Sequence, residues 1–197
     1  MTLIDISTDL LKADVYDGDP SPEVTTLETI GDDSDFNLSA VYACVHTGTH
    51  VDAPLHFIED GDSVEKYPLD AFIGECTVVE INSSPITGEF VNKRFPFDSE
   101  RILIKGHGEV FFMDSAAEEA AALGIKLIGT DALSVGSEND EIKPHKAFLS
   151  RGIAILEGLD LSSVEPGRYF LMAAPIKLGG LEGAPARAVL AKDIRFK

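Results

Sequence analysis

Arg101-Ile102-Leu103-Ile104-Lys105, then Asp114-Ser115-Ala116-Ala117-Glu118-Glu119-Ala120-Ala121-Ala122-Leu123-Gly124, then Ile125-Lys126-Leu127-Ile128-Gly129-Thr130-Asp131 is the stretch that decides the fold class. Its outer runs are short, apolar and rich in isoleucine, and they read as strands. The alanine-rich middle reads as a helix with recognisable ends. Ser115 and Glu118 have the spacing of a capping box, and Gly124 suits the left-handed position that closes a helix. Strand, helix, strand implies a right-handed parallel crossover.

Working outward, a short helix is expected over residues 145–150 after Pro144, followed by strands over 152–157 and 169–174. Towards the N-terminus, strands are expected over 2–7, 37–45 and 76–82, separated by the loop Asp17-Gly18-Asp19-Pro20-Ser21-Pro22 and by an acidic loop, Gly31-Asp32-Asp33-Ser34-Asp35. That acidic run lacks the ligand spacing and closing glutamate of an EF-hand, so a solvated turn is the simpler account. The expected architecture is a mixed, strand-rich α/β fold in one domain over residues 1–197.

Sixteen basic residues against 34 acidic ones give a net charge of −18, which disfavours attraction to phosphate backbones and excludes nucleic acid as an expected partner. A solubilising acidic surface explains most of that charge, although carboxylates are also hard ligands for divalent cations. Cys44 and Cys76 have no C-x-x-C spacing, which fits a reduced, cytoplasmic setting. No run reaches the roughly 18 apolar residues of a membrane span, so no membrane partner is expected. A G-x-S-x-G elbow for a serine nucleophile is also missing from the sequence.

The chemistry concentrates in His46-Thr47-Gly48-Thr49-His50-Val51-Asp52-Ala53-Pro54-Leu55-His56. His46, His50, Asp52 and His56 are all separated by even steps, and threonine, glycine and proline between them oppose a helix. Extended backbone sends all four side chains to one side. A straight strand would still leave residues 46 and 52 about 20 Å apart at ~3.3 Å per residue, too far for one ion. The chain must therefore bend, and Gly48 is the residue that bends most cheaply. Two imidazoles and a carboxylate leave room for water, as catalytic zinc sites do. A metal held this way lowers the pKa of water towards 7, so hydroxide attack on a carbonyl at neutral pH is the expected chemistry, with a nearby histidine moving protons.

This segment resembles the signature of the cyclase-like metal hydrolases, the family that includes bacterial kynurenine formamidase and isatin hydrolase. Gly129-Thr130-Asp131-Ala132-Leu133-Ser134, Ile155-Leu156-Glu157-Gly158-Leu159 and Ala184-Pro185-Ala186-Arg187-Ala188-Val189 resemble further family segments in the same order. The resemblance implies that His46, His50 and Asp52 bind a first metal, that Asp52 and Glu157 are shared towards a second held also by His145, and that His56 transfers protons. It implies a swivelling β/β/α fold, a homodimer or homotetramer, one or two divalent ions (Zn2+ ahead of Mn2+), and hydrolysis of a linear or cyclic amide of small size. From the residues alone His145 and Glu157 stay open, because each type is more often structural; a carboxylate at the end of the apolar strand over 152–157 is nevertheless costly unless a cation is near.

One departure touches the substrate. Formamidases resemble one another in an aromatic-Pro-Gly-Asp stretch with tryptophan, whereas this chain has Tyr16-Asp17-Gly18-Asp19 and no tryptophan. Tyr16 is the expected substrate-stacking residue. A cyclic imide or lactone-like ester is an alternative substrate, and a non-catalytic metal-binding protein is an alternative of another class. Among lesser candidates, His107 is expected in a surface turn, Asp131 either behind a ligand or capping a turn, and Gly179-Gly180-Leu181-Glu182-Gly183-Ala184-Pro185 in a loop edging the pocket.

Overall fold

The computed structural model describes residues 1–31 and 34–192. In chain order the elements are β1 (Thr2–Asp5), β2 (Glu23–Glu28), β3 (Leu38–Tyr42), β4 (His50–Asp52), β5 (Ile73–Glu80), α1 (Gly88–Arg94), β6 (Arg101–Lys105), α2 (Ser115–Ala122), β7 (Leu127–Thr130), α3 (Ile142–Leu149), β8 (Ala154–Glu157), β9 (Gly167–Met172), β10 (Gly183–Pro185) and β11 (Val189–Lys192). Among the described residues, nine strands form one sheet in the order β1-β11-β9-β5-β6-β7-β8-β4-β10. The Asp32-Asp33 centre of the expected acidic loop lies outside the described residues.

The strand-helix-strand reading extends further than one unit, because β5, β6, β7 and β8 are all parallel neighbours, linked in turn through α1, α2 and α3. Side chains alternate across these strands. Ile102, Ile104, Ile128 and Ile155 pack with Val91, Ala116, Ala117, Ala120 and Phe148 of the helices. Leu103, Leu127, Ala154 and Leu156 face the other way, into a second core with Ile6, Val51, Phe72, Leu171 and Leu190.

Among the described residues that second core draws on no α-helix, only on two 3-10 turns through Val64 and Ala71, and the sheet covers it by curling. β10 and β11 stand near opposite edges of the sheet, yet only residues 186–188 separate them. A flat sheet would put them about 34 Å apart at ~4.8 Å per strand, whereas four Cα steps reach at most about 15 Å. The edges must therefore approach, which explains why Val51 and Ala184 share a core with Leu171 and Leu190. Ile6 N–H donates to Ala188 O at 3.0 Å, and Ser7 and Ala188 exchange two further bonds, which fasten the link.

Several local expectations shift. The capping-box serine does not cap: Asp114 accepts from Ser115 N–H, while the Ser115 hydroxyl accepts from Gly88 N–H at the start of α1, so a tertiary partner takes the side chain. The other end of α2 is as expected, with Gly124 N–H donating to Ala121 O and Ile125 N–H to Ala120 O, the two bonds of a Schellman closure. The third helix starts three residues earlier than expected, with Pro144 inside its first turn, where no N–H is missed. The strand expected over 37–45 is shorter and does not join the main sheet. It pairs as β3 with β2 in a separate two-stranded arm, all of whose residues are exposed, including Val24, Leu27, Leu38, Val41 and Tyr42. No helix among the described residues is long and apolar enough to cross a membrane.

Candidate metal centre

β4 lies between β8 and β10, with His50 opposite Glu157 on one side and Asp52 opposite Gly183 on the other. Pleating sends Val51 into the core inside the curl and His50 and Asp52 to the helix-bearing face. There His145, at the end of the first turn of α3, meets them together with Glu157, and these four residues are almost completely buried. His46 reaches the same place from a turn, not a strand: Gly48 takes φ +68° and folds residues 46–49 back. The even spacing thus gathers its side chains only because the strand is three residues long and the chain bends at both ends, with a single 3-10 turn at Pro54–His56.

The bend is held by the end of β8. Thr49 and Thr8 hydroxyls both donate to Gly158 O, at 2.6 and 2.8 Å. Gly158 has φ +65°, and a Cβ there would sit 2.3 Å from Gly48 O. Gly158→Ala is therefore expected to cost about 2–4 kcal/mol through backbone strain and overlap; a denaturant midpoint matching wild type would contradict this packing.

The donor atoms surround a common space. His50 Nε2 lies 3.3 Å from Asp52 Oδ1 and 3.4 Å from Glu157 Oε2, and His145 Nε2 lies 3.4 Å from Asp52 Oδ2 and 3.2 Å from Glu157 Oε1. Ligands about 2.0–2.1 Å from a tetrahedral ion stand about 3.3–3.4 Å from one another, so these separations have the size that shared coordination requires, as well as that of imidazolium–carboxylate pairs. His46 Nδ1 approaches Asp52 Oδ1 at 2.9 Å. Two triads, His46/His50/Asp52 and Asp52/His145/Glu157, each keep their donor atoms within 4.8 Å and share Asp52.

Two buried atoms at this place have no hydrogen-bond partner, Asp52 Oδ2 and His46 Nε2. A carboxylate oxygen without a hydrogen bond is costly; the His145 imidazole 3.4 Å away offsets part of that charge, and a metal cation fits the same place. The outer nitrogens are already arranged for that role: His50 Nδ1 faces Gly48 O at 2.9 Å and His145 Nδ1 faces Glu141 O at 2.8 Å, which turns each Nε2 inward. Glu157 Oε1 accepts from Val135 N–H at 2.6 Å. The donor set therefore fits one or two divalent ions.

Without a cation the site holds its own protons. Burial would lower His50 and His145, but Asp52 and Glu157 beside them more than offset it and lift the two to about 10 and about 11. Burial would raise Asp52, and His145, His46 and His50 instead hold it well below the usual carboxylate range. A raised imidazolium stabilises the fold fully below its unfolded pKa near 6.5 and loses that contribution as pH rises through its folded value. The metal-free protein is thus expected to weaken between pH ~7 and ~11, where metal affinity grows. Loading at pH 7 should release about two protons per subunit, read by calorimetry in buffers of different ionisation heat. Release of none would contradict protonated His50 and His145.

His56 sits beside both triads, stacked on His46 with ring centroids 4.1 Å apart and 5.9 Å from His145. Burial pushes it down to about 4, with Asp52's charge opposing, so it is a neutral base at pH 7. Tyr16 donates its hydroxyl to Glu141 at 3.0 Å and lines a cleft of about 870 Å³ with Phe111, Leu133 and Glu138; among the described residues lining it are none of the five candidate ligands and not His56, so Tyr16 is not brought together with them. Asp131 caps a turn, its carboxylate accepting from the N–H groups of Gly106, His107 and Gly108; His107 is on the surface, paired with Glu80.

Sequence reasoning missed Phe57, whose ring lies 4.5 Å from His145, and Glu182, whose carboxylate is 3.8 Å from His46 Nε2. The 179–185 run placed Glu182 near the pocket without singling it out, and no spacing rule could have done so.

The "Putative cyclase" family model matches residues 4–109. Kynurenine formamidase of Salinibacter ruber (strain DSM 13855 / M31) is 37% identical over 206 residues, covering 96% of this chain and 97% of that protein. A solved structure described as a predicted metal-dependent hydrolase from Bacillus stearothermophilus is 32% identical with a TM-score of 0.81, covering 96% of this chain and 97% of its own. Isatin hydrolase A from Labrenzia aggregata, 19% identical with a TM-score of 0.81 over 96% of this chain and 93% of its own, shares the fold. With the matched model spanning the His46–His56 segment and the whole-chain match to a kynurenine formamidase at 37% identity, the chain belongs to the cyclase family.

Proposed function

We propose that residues 1–197 are one metal-dependent hydrolase domain acting on linear or cyclic amides of small size, in the manner of an arylformamidase. The observation that carries this reading is the buried pair Asp52 and Glu157, faced at 3.2–3.4 Å by His50 and His145, with Asp52 Oδ2 making no hydrogen bond. In this reading His46, His50 and Asp52 hold a first divalent ion, and Asp52, His145 and Glu157 a second, zinc in first place and manganese in second. When bound, such an ion supplies Lewis acidity towards a carbonyl and a water ionised near pH 7. His56 accepts the proton released in attack and returns it to the leaving nitrogen, a role suited to a neutral imidazole beside the ligands. Tyr16, which lines the neighbouring cleft, stacks on the substrate's ring.

The relatives named kynurenine formamidase favour an aryl formamide; Tyr16 without a tryptophan favours a smaller or cyclic amide, imide or ester. Elemental analysis of protein purified without added metal, with a panel of aryl formamides, cyclic amides and lactones, tests the reading. Bound metal with no turnover of any member would leave a metal-binding protein instead. The cytoplasm suits the two free cysteines. A homodimer or homotetramer would cover the apolar residues of the β2–β3 arm, and sedimentation at micromolar concentration tests that.

A further inference from the structure

Resting on that ligand assignment, we infer that Glu182 is the positioning residue for His46, fixing which ring nitrogen faces the centre. Three histidines surround the site, and two are oriented by backbone: Gly48 O takes His50 Nδ1 and Glu141 O takes His145 Nδ1. His46 is turned the other way. Its Nδ1 faces Asp52, and its outward Nε2 is buried with no hydrogen-bond partner. Among the described residues, the carboxylate paired with that nitrogen is Glu182, at 3.8 Å and partly exposed, so a small side-chain rotation closes a hydrogen bond.

The chain is shaped for this approach. Ala53 N–H donates to Glu182 O at 2.8 Å, which anchors Glu182 beside β4. Gly183, next along, lies under the His46 ring, where a Cβ would come within 2.8 Å of its Cε1. Glu182 thus gives His46 what a carbonyl gives the other two: an acceptor for one N–H, which leaves Nδ1 unprotonated towards the ion and more basic.

The test compares Glu182→Ala, Glu182→Gln and His46→Ala in the full-length protein, with Zn2+ affinity measured by chelator competition. Glu182→Ala is expected to weaken binding about 10- to 100-fold, with Glu182→Gln between it and wild type because its amide oxygen still accepts. In the zinc-loaded protein, ring 15N spectra should show His46 protonated at Nε2, and Glu182→Ala should shift that resonance without lowering the unfolding midpoint of the metal-free form. Unchanged affinity in Glu182→Ala, with a large loss in His46→Ala, overturns the inference while sparing the ligand assignment. Unchanged affinity in His46→Ala overturns both.

Discussion

His56→Ala is expected to cut turnover about 10²- to 10⁴-fold while the purified protein keeps its full complement of metal. The separation of the two effects follows from geometry. His56 stacks on His46 and stands edge-on to His145, but it belongs to neither group of convergent donors. Removing it takes away an imidazole held neutral at pH 7 by burial, and leaves the five proposed ligands in place. The measurement is kcat together with metal stoichiometry on the same preparation. Undiminished turnover would remove His56 from the mechanism, and metal lost in parallel would make it a ligand.

Asp52→Asn should act more broadly, abolishing metal retention and activity together. Asp52 is completely buried and is the residue common to both triads, touching His46, His50 and His145. An amide offers one neutral acceptor where the carboxylate offered two charged ones. In the metal-free protein His50 and His145 would also lose half of their counter-charge and titrate lower. Breaking a buried charge network on one side costs about 3–5 kcal/mol. Denaturation of the metal-free variant at pH 6, where the wild-type imidazoliums are fully paired, checks the stability effect. A variant that keeps both metal and wild-type stability would show that Asp52 is a bystander.

Much of this centre was legible in the chain because its densest part is local. His46, His50, Asp52 and His56 lie within eleven residues, and Gly48 and Pro54 announce the turns that gather them. His145 and Glu157 were open on spacing alone, since a helix and a strand far along the chain bring them in. The central strands and α2 were readable from their apolar runs and end signals. β10 was not, because Gly183-Ala184-Pro185 has no strand propensity and is a strand only through pairing with β4. The strand expected over 37–45 proved shorter and placed elsewhere for a related reason: its residues are apolar enough for a core, yet as β3 they pair with β2 and stay in solvent.

The short tie at residues 186–188 has a consequence for cooperativity. Because it joins β10, beside the ligands, to β11, beside the first strand, fraying at either rim pulls on the other. The candidate ligands therefore belong to the same unfolding unit as the N-terminal strand, and ion binding should slow amide exchange in that strand as well as around the ligands proposed here.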